Sequence, residues 1–208
     1  MSHATPDTYR FPKEVRPAQV DRLSSWMWPR HEAERESVVL DFSRSIVAFP
    51  NSMVPIITWV HFVRAEGMTV DVIPPDSGLL RSKWEDRNWS HYLLGDSGGL
   101  NPATSRMLPV QQYNTASELN TVVQQMMDCV CNLVVLHSDS LIAIDWSLGE
   151  IADNVLNHAE SPLGGFVQLQ QSNEQIAIVI ADNGRGLYQS LRPAHSIPEP
   201  KPIEAIQL

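Results

Sequence analysis

Residues 150–158 read EIADNVLNH, and this stretch decides how the C-terminal half of the 208-residue chain is interpreted. Glu150, Asn154 and His158 recur every four residues, and Asn157 follows Glu150 by seven. Because residues at these offsets share a face of an α-helix, the four polar side chains lie on one side of a predicted helix spanning about residues 147–159. The spacing therefore predicts a polar helix face suited to binding.

A second stretch, IAIVIADNGRG at residues 176–186, follows closely in the chain. Its apolar run predicts a buried strand that ends at Asp182, and Gly184 and Gly186 come directly after it. A carboxylate fixed at the end of a core strand is a well-placed hydrogen-bond acceptor. The two glycines leave a bare backbone beside it that a flat ring could approach.

Each of these features also has a purely structural interpretation. Ser147 and Glu150 fit a capping box, so Glu150 could merely satisfy the start of a helix. Asn154 alone suits an exposed surface, and His158 would favour a helix C-terminus through the macrodipole. Residues 182–186 alone would make an ordinary turn. A polar helix face, a two-stranded return and a strand-terminal Asp-x-Gly-x-Gly in that order favour a functional site.

Residues 150–158 resemble the N-box of GHKL ATPases, the superfamily of gyrase, Hsp90, histidine kinases and MutL. They look closest to the E-x-x-x-N-x-x-x-H form found in anti-sigma serine kinases. Residues 182–187 resemble the G1 box that follows the N-box in that superfamily. The resemblance covers roughly residues 116–190 and implies a partial Bergerat-fold α/β sandwich that binds ATP with Mg²⁺.

The resemblance also implies a role for each matching residue. Asn154 would coordinate the Mg²⁺ that bridges the phosphates, and Glu150 would orient or deprotonate the attacking water or hydroxyl. Asp182 would accept a hydrogen bond from the adenine amino group. Mg²⁺ prefers oxygen ligands and takes only one or two from protein in nucleotide sites, which suits an amide oxygen. The implied nucleotide-contacting residues are Asn154, Asn157, His158, Asp182, Gly184 and Gly186.

The superfamily continues with a mobile lid and a second glycine-rich box that holds the phosphates. Residues 196–202 of this chain are instead Pro-rich, and residues 203–208 read as a helix in its first turns. We therefore expect a shortened or degenerate form, in which tight ATP binding and turnover are not expected of this chain by itself.

The N-terminal half has the pattern of a small α/β unit. Predicted strands at residues 37–42 and 68–73 alternate with helices at residues 53–66 and 79–94, which implies parallel strands. Asn51 or Ser52 suits the N-cap of the first helix, and Gly67 and Gly95 suit the ends of the first and second helices. The first 35 residues are polar but carry aromatic side chains, so we expect them to pack onto the rest.

This unit bears a weaker resemblance to STAS domains, the fold of anti-sigma factor antagonists. The residues that carry it are LDFS at 40–43 and FPNS at 49–52, which opens a helix. The resemblance suggests Ser52 as a phospho-acceptor, whereas capping chemistry suggests a helix cap. We predict an α/β (α+β) chain with an N-terminal extension at 1–35, a STAS-like domain and linker at 36–105, and a partial GHKL domain at 106–208.

The remaining elements of the C-terminal half follow from periodicity. Residues 115–135 carry an apolar stripe at helical spacing and predict a core helix. Residues 166–170 and 175–181 predict two strands. The first is expected to be half-exposed because Gln168 and Gln170 alternate with apolar residues. The second is expected to be a central strand buried on both faces, because it is apolar throughout.

Composition limits the classes of function. A formal net charge of −9 argues against a nucleic-acid partner. No run approaches the roughly 18 apolar residues of a membrane span, so we expect a cytoplasmic protein without a membrane partner. Cys129 and Cys131 lie one residue apart in a predicted helix, which disfavours a disulfide between them, and they read as core or interface residues.

Four functions remain open at this stage. The first is an ATP-dependent regulator whose nucleotide site controls contacts between its own parts or with a protein partner, self-association included. The second is a serine kinase of the anti-sigma type, and the third is an interaction module that has lost nucleotide binding. A sensor histidine kinase ranks lower, because His31 lacks the proline and the dimerising hairpin expected around a phospho-acceptor.

Overall fold

A computed structural model describes residues 7–32, 37–95, 98–159, 161–172 and 175–184. Helices and strands alternate throughout these residues, which confirms the predicted mixed α/β class. Among the described residues, no helix is both long enough and apolar enough to cross a membrane.

The N-terminal half is built on a three-stranded parallel sheet in the order β1-β3-β5, beside a two-stranded parallel pair of β2 and β4. The predicted parallel pairing is therefore confirmed. Its elements are β1 (Asp7–Arg10), β2 (Glu14–Val15), α1 (Ala18–Glu32), β3 (Ser37–Asp41), β4 (Val47–Ala48), α2 (Pro50–Ala65), β5 (Thr69–Ile73), α3 (Gly78–Asp86) and α4 (Trp89–Leu94).

The first part of the chain is integrated into this unit. Strand β1 pairs in register with β3, and the ring of Tyr9 lies 5.3 Å from that of Trp26 on α1. Phe11 is buried and stacks on Phe42 with ring centroids 3.8 Å apart. The expectation that these aromatic residues pack onto the rest of the chain is confirmed.

Helix α2 starts in a different way from the one predicted. Its N-cap is Phe49, which makes no side-chain capping bond, and Pro50 supplies the first helical residue. The predicted cap at Asn51 or Ser52 is therefore wrong. Ser52 lies in the first turn and is fully buried, so its hydroxyl is not accessible to a kinase.

The predicted helix at residues 79–94 is two helices, because Asn88 breaks it with a φ of 62°. Its side-chain amide donates to the Val110 carbonyl at 3.1 Å and so holds the break in place. The predicted stops are confirmed, since Gly67 and Gly95 have φ values of 93° and 69°. Only glycine adopts this left-handed backbone at little cost.

The C-terminal half contains an antiparallel sheet in the order β6-β7-β8, with two helices on one face. Its elements are β6 (Met107–Tyr113), α5 (Ala116–Leu133), α6 (Ser138–Asn157), β7 (Gly165–Ser172) and β8 (Gln175–Asp182). Helix α5 begins with a capping box between Thr115 and Glu118. Its buried stripe packs on β6 and β7 as predicted.

Helix α2 covers the other face of this antiparallel sheet. Val110 of β6 and Phe166 of β7 are fully buried in the same core as α2, and Val179 and Ala181 of β8 pack against that core. The ring of Phe166 also contacts His61 of α2, with centroids 5.2 Å apart. Apolar packing therefore continues across residue 105 between the two halves of the chain.

This packing reverses the predicted exposure of the last two strands. Gln168 and Gln170 on β7 are buried, not half-exposed, because polar partners from the N-terminal half reach them. The Trp89 indole donates to Gln168 at 3.0 Å, and the Arg87 guanidinium donates to Gln170 at 2.7 Å. Within the described residues β8 pairs only with β7 and is partly exposed, so the prediction of a central strand is wrong.

The two cysteines have different environments. Cys129 is buried and its thiol contacts the Thr104 carbonyl at 3.2 Å, whereas Cys131 is exposed. Both are free thiols, as their spacing predicts. The core alternative is confirmed for Cys129, whereas exposed Cys131 leaves only the interface alternative, which stays a prediction.

Candidate functional site

Helix α6, which carries the first motif, is longer than predicted. It begins at Ser138 with His137 as its N-cap, nine residues before the predicted start. Ser147 therefore lies inside the helix, where its hydroxyl donates to the Ala143 carbonyl at 2.7 Å. The capping-box interpretation of Glu150 is wrong, because no helix begins at Ser147.

The four polar residues of the motif lie on the solvent side of α6. Its buried residues, Leu148, Ala152 and Val155, pack on the antiparallel sheet from the opposite side. The exposed motif residues are Glu150, Asn154, Asn157 and His158. The predicted polar face is therefore present on the exposed side of the helix.

Local hydrogen bonds organise the last turn of this helix. The His158 backbone N–H donates to the Asn154 carbonyl at 2.9 Å, which closes the helix. The Asn157 side-chain amide donates to the Asp153 carboxylate at 2.6 Å, one turn back. The side-chain amide of Asn157 is thus already hydrogen-bonded within the helix. No hydrogen bond within the described residues involves the side-chain amide of Asn154.

The second motif begins where β8 ends. Asp182 is exposed and accepts a hydrogen bond from the Gly184 backbone N–H at 2.8 Å. This turns the chain immediately after the strand. Gly186, the other predicted glycine, lies outside the described residues.

The two motifs meet at Gly184. A β-carbon at this position would overlap the carbonyl oxygen and the β-carbon of Ala159, the residue that follows His158. The end of β8 is therefore pressed against the end of α6. The structure brings the terminal residues of both predicted motifs into one region.

Tyr113, which the sequence interpretation overlooked, lies beneath this region. Its buried phenol donates to the Ala152 carbonyl of α6 at 3.1 Å. Burial raises the pKa of Tyr113, and the Asp182 and Asp153 carboxylates raise it further. Both carboxylates are therefore within electrostatic reach of one hydroxyl, which places Asp153 in the site as well.

A signal for Tyr113 exists in the sequence. Gly164 and Gly165 open β7, and a β-carbon at Gly165 would collide with the ring of Tyr113. Paired glycines at the start of a strand often mark such a close approach. Finding which aromatic residue approaches them required the strand register, which pairs Tyr113 with Gly165.

The loop between α6 and β7 is tied to the same region. The Ser161 hydroxyl lies 2.6 Å from Asn183 Oδ1 and 2.8 Å from the Gly164 carbonyl oxygen. These contacts hold the segment after α6 against the turn after β8. The backbone around the candidate site is thus fixed from two sides.

The electrostatics of the region are uniformly acidic. Glu150, Asp153 and Asp182 contribute three carboxylates, and residues 107–184 contain no Lys or Arg. Phosphate groups would be repelled here unless a cation accompanied them. A phosphate ligand beside these carboxylates would therefore be favoured as a metal complex.

The donor set fits Mg²⁺ in such a complex. Glu150 and Asn154 supply carboxylate and amide oxygens one helical turn apart, and both side chains are exposed. No group of three or more His, Cys, Asp and Glu side chains in the described part of the chain could hold a metal by itself. One or two protein oxygens suffice when phosphates and waters complete the octahedron.

Comparisons of the chain with protein-family models, with curated proteins and with solved structures found no match.

Proposed function

We propose that this chain carries a low-affinity Mg-ATP site across the ends of α6 and β8 and acts as an ATP-dependent regulatory protein of the GHKL type. The observation that carries the proposal is the contact between Gly184 and Ala159. It brings the turn that follows Asp182 against Ala159, two residues after the end of α6. The resemblance to the GHKL motifs implies this juxtaposition, and a simple surface turn would not need it.

Asp182 accepts a hydrogen bond from the exocyclic amino group of adenine. Its Oδ1 already accepts from the Gly184 N–H, which orients the carboxylate and leaves Oδ2 for the base. The bare backbone at Gly184 allows the ring to lie close to the chain. Together these residues select adenine over guanine, which presents a carbonyl at the corresponding ring position.

Asn154 and Glu150 act on the triphosphate of the bound ATP. Asn154 would hold Mg²⁺ through its side-chain amide oxygen. The metal would neutralise negative charge on the phosphates. The Glu150 carboxylate orients a water or hydroxyl for attack on the terminal phosphate. Its exposed position on α6 leaves it free of the helix-capping role.

The regulatory role depends on the elements that pack on the face of the antiparallel sheet opposite α6. Helix α2 packs on the face opposite α6, and the buried Trp89–Gln168 hydrogen bond links α4 to β7. A nucleotide that changes the conformation at the end of β8 thus changes the contacts between the N-terminal and C-terminal halves of the chain. The second candidate is an anti-sigma-type serine kinase, favoured by the Glu-x-x-x-Asn-x-x-x-His spacing, in which the phosphoryl acceptor is a serine of a partner.

Titration calorimetry of Mg-ATP into the chain tests the proposal. Asp182→Asn should weaken binding by about tenfold or more, because a hydrogen bond to a charged acceptor contributes about 1.5–3 kcal/mol. Asp145→Asn is the matched control, since Asp145 is exposed on α6 and its loss changes the net charge equally. EDTA should abolish binding, and equal affinity of the two variants would refute the adenine assignment.

Turnover is tested separately with Glu150→Gln. We expect Mg-ATP affinity to stay within about twofold of wild type while phosphate release is lost, because the carboxylate acts on the attacking group. Label from γ-labelled ATP that appears on a partner serine in place of free phosphate would identify the serine kinase. Mg-ATP binding without either product would identify a non-catalytic nucleotide sensor.

A further inference from the structure

A cavity of about 490 Å³ lies at the carboxyl ends of β1 and β3, far from α6 in sequence. Four cationic side chains line it, those of Arg10, Lys13, Arg22 and Arg44. The whole chain has only 15 Lys and Arg and a formal net charge of −9. More than a quarter of its cations therefore meet at one cavity, where the local field is opposite in sign to the net charge.

These cations are largely uncompensated. Arg10 is the one with an ion-pair partner, since its Nε lies 3.5 Å from the Asp41 carboxylate. No ion pair of Lys13, Arg22 or Arg44 occurs within the described residues. Three positive charges at the cavity are thus available to a ligand.

The acidic groups nearby do not cancel this charge. Glu14 is paired with Arg16 at 2.6 Å, away from the cavity lining. Asp21 precedes Arg22 on α1 and is exposed, but it does not line the cavity. An anion inside the cavity would therefore face a surplus of positive charge.

The loops that carry two of the cations are held rigidly. The Ser45 hydroxyl donates to the Pro12 carbonyl at 2.9 Å, and the Ile46 N–H donates to the Lys13 carbonyl at 2.8 Å. The parallel pairing of β2 with β4 fixes the same two loops on their far side. The backbone from which the Lys13 and Arg44 side chains extend is thus fixed before a ligand arrives, which lowers the entropy cost of binding.

The position in the fold also suits an anion. Ligands of open α/β sheets bind outside the carboxyl ends of parallel strands, where this cavity lies. Helix α1 starts here, and Gln19 and Arg22 from its first two turns line the cavity. The positive end of the helix dipole adds to the field of the side chains.

We propose that this cavity binds a small molecule that carries a compact polyphosphate group. Its volume lies within the range of about 300–1,000 Å³ found for small-molecule sites. Three unpaired cations and a helix N-terminus match the charge of a diphosphate or triphosphate. An extended nucleic acid fits less well, because the acidic remainder of the chain would repel its backbone.

Calorimetric titration with inorganic tripolyphosphate in EDTA tests the proposal. This probe lacks adenine and the buffer lacks free Mg²⁺, so the result is independent of the Mg-ATP site proposed at α6 and β8. The double variant R22A/R44A should bind about tenfold more weakly than wild type. R81A/K83A is the matched control, because it removes two exposed cations from α3 and should stay within about twofold.

Three outcomes would overturn the proposal. Equal weakening in the two double variants would show a general charge effect, and absence of binding to wild type would show that the cavity holds no polyphosphate. A single-stranded oligonucleotide that binds more tightly than tripolyphosphate and depends on Arg22 and Arg44 would replace the small molecule with nucleic acid. Matching urea unfolding midpoints of the variants would establish that all are folded.

Discussion

Gly184 lies so close to Ala159 that a β-carbon on residue 184 would overlap the backbone carbonyl of residue 159. The obstructing atoms include the backbone, so rotation of a side chain cannot relieve the overlap. The ends of β8 and α6 therefore pack together only because residue 184 has no side chain. The candidate nucleotide site depends on this contact for its shape.

Gly184→Ala should consequently separate the two motifs. We expect a loss of about 1–3 kcal/mol in the free energy of unfolding, which is typical when extra atoms are forced into a packed region. Mg-ATP affinity should fall as well, because Asp182 moves away from the end of α6. Urea denaturation and calorimetry measure the two effects.

Gly149→Ala supplies the matched control for this glycine change. Gly149 lies within α6, and no atom would come within 4 Å of a β-carbon there. Alanine should therefore raise the free energy of unfolding by about 0.5–1 kcal/mol through its higher helix propensity. If Gly184→Ala were as well tolerated as Gly149→Ala, the close contact at Ala159 would not exist in solution.

The buried hydrogen bond from the Trp89 indole to Gln168 Oε1 gives the second prediction. Both side chains are fully buried, and the bond connects α4 of the N-terminal half with β7 of the C-terminal half. Gln168→Leu removes the acceptor and leaves the indole N–H without a partner. We expect this change to lower the free energy of unfolding by about 1–3 kcal/mol.

A double-mutant cycle separates the bond from the loss of packing. Trp89→Phe and Gln168→Leu together should cost less than the sum of the two single changes, because the double variant leaves neither partner unsatisfied. Gln171→Leu, at an exposed position of the same strand, should have little effect. Strict additivity of the two changes would argue against the hydrogen bond.

Local sequence signals predicted several elements of this fold, whereas strands β1, β2, β4 and β6 and helix α1 were not predicted. Glycines 67 and 95 ended helices where predicted, because their left-handed backbone is a local property. The stripe on α5 gave its buried face, since a helix has only one apolar side to bury. The parallel strands followed from the alternation of strands and helices.

The predicted solvent exposure of β7 and β8 was wrong because it depends on packing against residues distant in the sequence. Gln168 and Gln170 look like solvent-facing residues, yet they are buried and bonded to Trp89 on α4 and to Arg87, which follows α3. The apolar residues of β8 look like a central strand, yet β8 forms the edge of the sheet as far as the structure describes it. Pattern within one strand cannot reveal which distant element covers it.

The candidate site shows the same division between local and distant information. Spacing alone placed the polar face of α6 toward solvent, because helix geometry is fixed. The contact of Gly184 with Ala159 and the position of Tyr113 beneath them depend on the register of three strands. No single segment of the sequence contains that register.

The partly buried His61 gives the last prediction, which concerns how the stability of the protein depends on pH. Burial lowers the pKa of His61 below its ordinary value of 6.5, and the charges of Arg64 and His91 lower it further, against the opposing effect of a hydrogen bond to the Tyr92 carbonyl. The ring of His61 on α2 lies 5.2 Å from that of Phe166 on β7 and 5.6 Å from that of Tyr92, at the junction of the two halves. The folded state therefore favours neutral His61.

The sign of the pH dependence follows from proton binding. Below about pH 7.5 the unfolded chain takes up a proton on this histidine before the folded chain does, so the free energy of unfolding falls as the pH falls. His61→Gln keeps a donor for the Tyr92 carbonyl but cannot titrate. It should therefore show a smaller decrease in stability between pH 7.5 and 5.5 than wild type, as measured by urea denaturation at each pH.

His137→Gln, at the exposed N-cap of α6, should retain the wild-type decrease. An unchanged pH dependence in His61→Gln would mean that the histidine is as easily protonated in the folded protein as in the unfolded chain, and that the junction around Phe166 is open to water.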